Sequence, residues 1–215
     1  DHVKTIKSSA KDLLAILNNI LDYSKINAGK LKLDTIPLDI RNCIDDVLAI
    51  AAPNAHKKGL DLIASTALDV PKTMVGDPLR IKQIINNLIS NAIKFTHQGH
   101  IIIRTNVHNV SEKYYTIALS VTDTGIGIAK KEQGALFHAF HQAKNASERH
   151  YGGSGLGLVI CKQLAEQMHG QISLESHPNQ GTTFLVHLML EKLPAYEVEK
   201  TNPKRFSHVR SEEHT

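Results

Sequence analysis

Asn87-Leu88-Ile89-Ser90-Asn91-Ala92-Ile93-Lys94-Phe95-Thr96 is the stretch on which the reading of this chain turns. It fills the second half of a helical pattern that opens after Asp77-Pro78. Ile81, Ile84, Ile85, Leu88, Ile89 and Ala92 recur at helical spacing and predict one apolar face. Asn87, Asn91 and Lys94 are spaced by four and three, so they share a neighbouring stripe of the same helix. Polar stripes are commonly just the solvated side of an amphipathic helix. This one also suits phosphate chemistry. A hard cation between phosphates wants an oxygen ligand, which the Asn91 amide could give, and a phosphoryl group in transfer wants nearby positive charge, which Lys94 carries. The stripe does not choose between these readings; the sequence after it does.

Gln98-Gly99 stops the helix, and two β-rich runs follow, His100 to Val110 and Lys113 to Thr122, joined at Ser111-Glu112 as a hairpin. The second run empties into Asp123-Thr124-Gly125-Ile126-Gly127-Ile128. From Ala129 to Gly152 the chain is polar and weakly patterned, apart from Leu136-Phe137-His138-Ala139-Phe140. Loops of that length are usually functional lids or disorder. Gly153-Ser154-Gly155-Leu156-Gly157-Leu158 then opens a helix to Met168, stopped by Gly170. Its glycines let backbone N–H groups approach an anion, and the helix start adds its positive end. Asp123 closes a strand before two glycines that leave room for a flat ring. A buried carboxylate there could accept a hydrogen bond from an exocyclic amine and so read adenine over guanine. Taken singly, each feature has a plainer reading: a tight connection, and a turn-stabilising Asp before Gly.

Before the central helix, Val3, Ile6, Ala10, Leu13, Leu17, Ile20 and Ser24 alternate spacings of three and four, widened by Leu14 and Leu21. This predicts a long helix from Asp1 to about Ala28, ended by Gly29, whose apolar seam suits a helical bundle. Leu31 to Leu38 alternates and predicts a strand. Asp39 is a candidate N-cap for a helix to about Lys58, which Pro53 should kink or shorten. Leu60 to Thr66 reads as a strand, and Val75-Gly76-Asp77-Pro78 as a turn with Asp77 capping the central helix. Gln171 to Ser176 and Thr183 to Leu190 read as closing strands, and the charged, unpatterned residues after Glu191 as a linker.

Composition narrows the classes. The 215 residues carry 25 Lys and Arg against 21 Asp and Glu, with 41% hydrophobic and only 5% aromatic residues and no Trp. No basic block is interleaved with aromatics, so nothing points to nucleic acid. Cys43 and Cys161 lie in apolar helical patterns without metal-ligand spacing and read as two buried thiols. No apolar run approaches a membrane span.

In combination the pieces resemble the ATP-binding domain shared by histidine kinases, gyrase and MutL-type ATPases. Asn87 to Thr96 looks like the kinase N box, Asp123 to Gly127 the first glycine box, Leu136 to Phe140 the F box and Gly153 to Leu158 the second glycine box. The match covers about Pro37 to Leu190. It implies an α+β fold, a two-layer α/β sandwich, preceded by a long helix of a dimeric four-helix bundle. The implied divisions are residues 1–30 as the second bundle helix, 31–191 as the ATP-binding catalytic domain and 192–215 as a linker or tail. The resemblance carries Asn91 over as the magnesium ligand and Lys94 as the phosphate contact, with both serving catalysis. Asp123 becomes the adenine reader, beside Thr182 of the Gly181-Thr182-Thr183-Phe184 run. Asn87, Phe95, Gly125, Gly127, Ile128 and Phe140 border the nucleotide. Gly153, Ser154, Gly155, Leu156, Gly157 and Leu158 lie along the phosphates, beneath a lid in which Arg149 is the candidate phosphate partner. His138, His141 and His150 read as incidental loop histidines, and Arg80 as a surface residue or a distant helper.

The branch of the family follows from chemistry. The gyrase and MutL relatives carry a Glu four residues before the magnesium Asn, where it activates water. Asn87 stands there instead, a neutral amide and a poor general base. Transfer to a histidine of the bundle is therefore the expected reaction, with ATP and Mg2+ as cofactors. Hydrolysis of the gyrase or MutL type, or a catalytically silent nucleotide-binding dimerisation module, is the alternative. The phosphoacceptor motif of the family does not occur, and His2, the only bundle histidine, has the wrong neighbours. The chain is thus expected to begin just after the acceptor helix. Tyr23-Ser24-Lys25-Ile26 and Gly76-Asp77-Pro78-Leu79-Arg80, with the second glycine box, look closest to BarA/LetS-type hybrid sensor kinases. The resemblance implies a second kinase subunit and a response-regulator receiver domain as partners. It also implies the cytoplasmic portion of an inner-membrane bacterial sensor, with membrane contact only through regions outside this sequence.

Overall fold

The structure is a computed structural model that describes residues 2–141 and 155–193. The first helix, α1 (His2–Asn27), ends where Gly29 takes a φ of +64°. A short strand β1 (Ile36–Leu38) leads to α2 (Ile40–Lys57), whose N-cap Asp39 accepts from the Arg41 N–H at 2.9 Å. Strands β2 (Asp61–Thr66) and β3 (Met74–Gly76) precede α3 (Pro78–Phe95). Then come β4 (His100–Val110), β5 (Tyr114–Asp123), the one-turn α4 (Lys130–Gln133), α5 (Gly157–Gln167), β6 (Gln171–His177) and β7 (Gly181–Lys192).

The strands form one mixed sheet in the order β1-β3-β7-β5-β4-β2, with β6 paired to β7 on the edge that β7 also offers to β3. All pairings are antiparallel except β2 with β4. Strand period two sends Ile101, Ile103, Ile117, Leu119, Val121, Phe184, Val186, Leu188 and Leu190 to one buried face. Alternate positions such as Ile102, Arg104, Ser120 and Thr122 stay partly or fully exposed. The buried face meets α3, whose Ile81, Ile84, Ile85, Leu88 and Ile89 are at most 1% exposed, with α2 and α5 on either side. That is the two-layer α/β sandwich that the resemblance implies.

Three local expectations change. The alternation of Leu31 to Leu38 yields a strand only at Ile36–Leu38. The residues before it run as a strap in which Leu31 and Leu33 pack on the core, and the Asp34 N–H donates to Asp77 Oδ2 at 3.0 Å instead of to a strand. Val75 and Gly76 belong to β3 rather than to a turn, because β1 and β7 both pair there. Of the two effects expected of Pro53, a kink or a shortening, the second is absent, and α2 continues to Lys57. Asp77 does cap α3, accepting from the Arg80 N–H at 3.0 Å with its other oxygen on the strap.

Candidate functional site

Three structures meet at one end of the sandwich: the last turns of α3, the end of β5 and the start of α5. Asp123 is the last residue of β5, paired to Ile101 on one side and Thr182 on the other. Period two turns its carboxylate to the helix side, where the residue is 7% exposed. Its Oδ1 accepts from the Gly125 N–H at 2.8 Å. Burial pushes the carboxyl up from the ordinary Asp range, while the backbone N–H groups of Gly125 and Thr182 pull it back. A carboxylate so held has kept acceptor capacity in a poorly hydrated place, which is what discrimination of a ring amine requires.

Gly125 is glycine for reasons of space. A Cβ there would run into the Phe95 carbonyl and sit 2.8 Å from Asp123 Oδ1. Gly127 has a φ of +65°, and a Cβ would strike the His177 carbonyl. The loop between them is fastened to the β6–β7 turn. Ile126 O accepts from the Asn179 N–H at 2.7 Å, and the Ile128 N–H donates to Ser176 Oγ at 2.8 Å. Ser176 Oγ also donates to Gly181 O at 2.9 Å and lies 2.9 Å from Thr182 Oγ1, while Gln133 Nε2 ties Ile128 O and Ser176 O together. Ser176, Gln133 and Asn179 carry no motif signal, so sequence reasoning passes over them; the buried Ser is legible only once its strand pairing is known.

On α3, Asn87, Asn91 and Lys94 are all partly buried on the side away from full solvent. Asn87 Nδ2 donates to Gly157 O at 3.3 Å, and its amide sits against the Cys161 thiol. It braces α3 to α5. Burial pushes the Cys161 thiol up to about 12, so this cysteine is the inert core residue expected. Lys94 Nζ stands 4.7 Å from the Phe95 ring centroid. At the start of α5, the N-cap residue Leu156 is fully buried and makes no side-chain cap hydrogen bond itself. Gly155, at φ +67°, faces the backbone of Phe140 and His141, where a Cβ would meet atoms at 3.0–3.1 Å. Phe140 itself takes a φ of +63° and sets its ring edge-on to Tyr23 of α1, centroids 6.3 Å apart.

The structure therefore brings Asn87, Asn91, Lys94, Phe95, Asp123, Gly125, Gly127, Ile128 and Thr182 to one end of the fold, with Gly155 and Leu156 leading into the facing helix and Gly157 and Leu158 in its first turn. Phe140 lies at the rim, on the α1 side. Arg149, His150, Gly153 and Ser154 lie outside the described residues. Arg80 is in an ion pair with Asp22 at 3.0 Å and takes no part in this site. No group of three or more His, Cys, Asp or Glu able to hold a metal occurs among the described residues. Asn91, partly buried one turn before Lys94, is the residue that would hold magnesium through its amide oxygen, an ion that keeps most of its ligands as phosphates and waters.

Comparison with known proteins places the chain in one family. Residues 76–192 match the family described as histidine kinase-, DNA gyrase B- and HSP90-like ATPase. The sensor protein GacS of Pseudomonas syringae pv. syringae is 49% identical over 192 residues, which cover 89% of this chain and 21% of GacS. The signal transduction histidine-protein kinase BarA of Escherichia coli K12 is 47% identical over 194 residues, 90% of this chain and 21% of BarA. The chain thus spans about a fifth of the length of these relatives. Full-length ShkA in complex with AMPPNP superposes with a TM-score of 0.77 at 27% identity, covering 90% of this chain and 39% of ShkA.

Proposed function

Because this chain belongs to the histidine kinase-, DNA gyrase B- and HSP90-like ATPase family, we propose that it is the Mg-ATP-binding catalytic part of a two-component sensor histidine kinase. It passes the γ-phosphoryl of ATP to a histidine on a helical bundle, for relay to a response-regulator aspartate. Residues 1–30 act as the second bundle helix, 31–191 as the catalytic domain and 192–215 as a linker. Its partners are a second kinase subunit and a receiver domain. In the intact protein this portion lies on the cytoplasmic side of a bacterial inner membrane.

The observation that carries the reading is the buried, doubly donated-to Asp123 carboxylate beside a glycine that has no room for a side chain. Asp123 accepts the adenine amine, Gly125 and Gly127 let the loop after it pass close against the Phe95 and His177 carbonyls, and Thr182 holds the carboxylate. Asn91 gives the magnesium its protein oxygen; the ion, when bound, neutralises phosphate charge. Lys94 adds a fixed cation to the same phosphates, and the start of α5 turns its N–H groups toward them. Catalysis of this kind is positioning and charge stabilisation, with little covalent work for the protein. Asn87, spent on Gly157 and incapable of taking a proton from water, supports transfer to a protein nucleophile over hydrolysis.

Calorimetric titration of ATP, with and without magnesium, tests this on the chain as it stands. Magnesium-dependent binding is expected, weakened on the order of a hundredfold in Asp123→Asn, the cost of mispairing a buried polar contact. Binding that ignores the substitution, or no binding by a folded sample, overturns the reading.

A further inference from the structure

We propose that Lys58, a residue outside every asparagine and glycine motif, sets the nucleotide-facing end of α3 and is a positioning residue for Mg-ATP. The proposal rests on the nucleotide-binding reading above. A helix ends with four carbonyls that lack intrahelical partners, and many helices satisfy some of them with a left-handed glycine. α3 has none: its C-cap Thr96 is extended, at φ −102° and ψ 123°. The carbonyls are accounted for differently. Ala92 O accepts from the Thr96 N–H at 3.0 Å, and Phe95 O from the Ile126 N–H at 3.3 Å. Ile93 O and Lys94 O accept from Lys58 Nζ at 2.6 and 3.1 Å, with Thr96 O at 3.5 Å from the same ammonium. Lys58 is the C-cap of α2, so its cation reaches across from a neighbouring helix to the negative end of α3.

The placement has a consequence for the site. Because the ammonium closes the last turn, α3 stays helical through Lys94 and Phe95, one turn beyond Asn91. Phe95 O, next in the series, is the atom against which Gly125 and Ile126 seat. Lys58 thus holds, through one turn of backbone, both the phosphate-side lysine and the wall beside Asp123. Without it, two or three carbonyls must turn outward to water, and the last turn frays with them. Both sides of the nucleotide pocket then shift together.

Lys58→Met and Lys58→Arg in the 215-residue chain separate positioning from mere stability. Affinity for Mg-ATP is read by calorimetry well below the unfolding midpoint, with urea unfolding measured in parallel. The expected result is a folded Lys58→Met protein that binds about tenfold more weakly, as fits loss of a helix-end cation with its hydrogen bonds, and largely restored binding in Lys58→Arg. Should Lys58→Met not fold, Lys58→Gln, which keeps one donor, is expected to show a smaller loss of the same kind. Wild-type affinity in folded Lys58→Met, or in Lys58→Gln where that stands in for it, overturns the proposal whatever the loss of stability. A wild-type chain that fails to bind removes the nucleotide reading along with it, whereas wild-type binding with an indifferent variant removes this inference alone.

Discussion

At the scale of single residues, Asp123 sets function against stability. Its carboxyl is raised by burial, the larger influence, and lowered by the Gly125 and Thr182 N–H groups. A folded value above the unfolded 3.8 means that the unfolded chain releases this proton first as pH rises. The contribution of Asp123 to stability is therefore greatest below the ordinary Asp value and is lost as pH climbs through the raised one. Asp123→Asn cannot titrate, so the wild-type unfolding midpoint should rise relative to that of the variant as pH is lowered from 7 toward 3.8. Thermal melts of the two proteins across that window check the sign; parallel pH profiles would mean that burial does not perturb the group. Such a difference would also separate loss of ATP binding in the variant from loss of folding. The place of Asp123 at a strand end was legible in sequence because a strand, an Asp and two glycines follow one another. Ser176, Gln133 and Lys58 were not, since each acts on a loop or helix end 35 or more residues away, or through a turn, and a contact of that kind leaves no local pattern.

At the scale of elements, the long local periods were readable and the pairings were not. The hydrophobic period of α3 and the hairpin of β4 and β5 came directly from spacing, because both depend on near neighbours in the chain. The strap at Leu31 to Thr35 misled the alternation rule: its leucines are buried from one side without any strand beside them. The same strap carries α1 onto the domain. Asp22 Oδ2 accepts from Arg80 Nη1 at 3.0 Å and from Gln83 Nε2 at 2.8 Å, and Gln163 Nε2 donates to Asn27 Oδ1 at 2.7 Å. Both members of the ion pair are less than a fifth exposed, so this contact is worth more than a surface pair. Arg80→Ala should cost about 1–2 kcal/mol, between the surface and the fully buried limits. Urea unfolding measures it, and an unchanged midpoint would show that α1 is held by Tyr23, Ile26 and the strap without the arginine.

At the scale of the whole molecule, the tightly packed domain contrasts with the face of α1. Ile6, Leu13, Leu14, Leu17, Ile20 and Leu21 are 44–67% exposed, while Ile26, near the domain, is buried. Ile6, Leu13, Leu17 and Ile20 keep the three-and-four spacing of a bundle seam. A contiguous apolar stripe of this kind is rarely left in water. Burying several hundred Å2 of it at about 25 cal/mol per Å2 recovers a sum of the same order as the entropic cost of association. Pairing through this one helix should therefore be weak and concentration-dependent rather than obligate. Sedimentation of the chain should show the mass rising from 23.7 kDa toward twice that value as concentration increases through the micromolar range. Leu13→Lys with Leu17→Lys should hold it at the monomer mass, with ATP affinity and the unfolding of the catalytic domain unchanged, because neither leucine touches the core. A wild-type chain that stays monomeric at every concentration would mean that the seam of α1 binds a different helix and does not pair with itself.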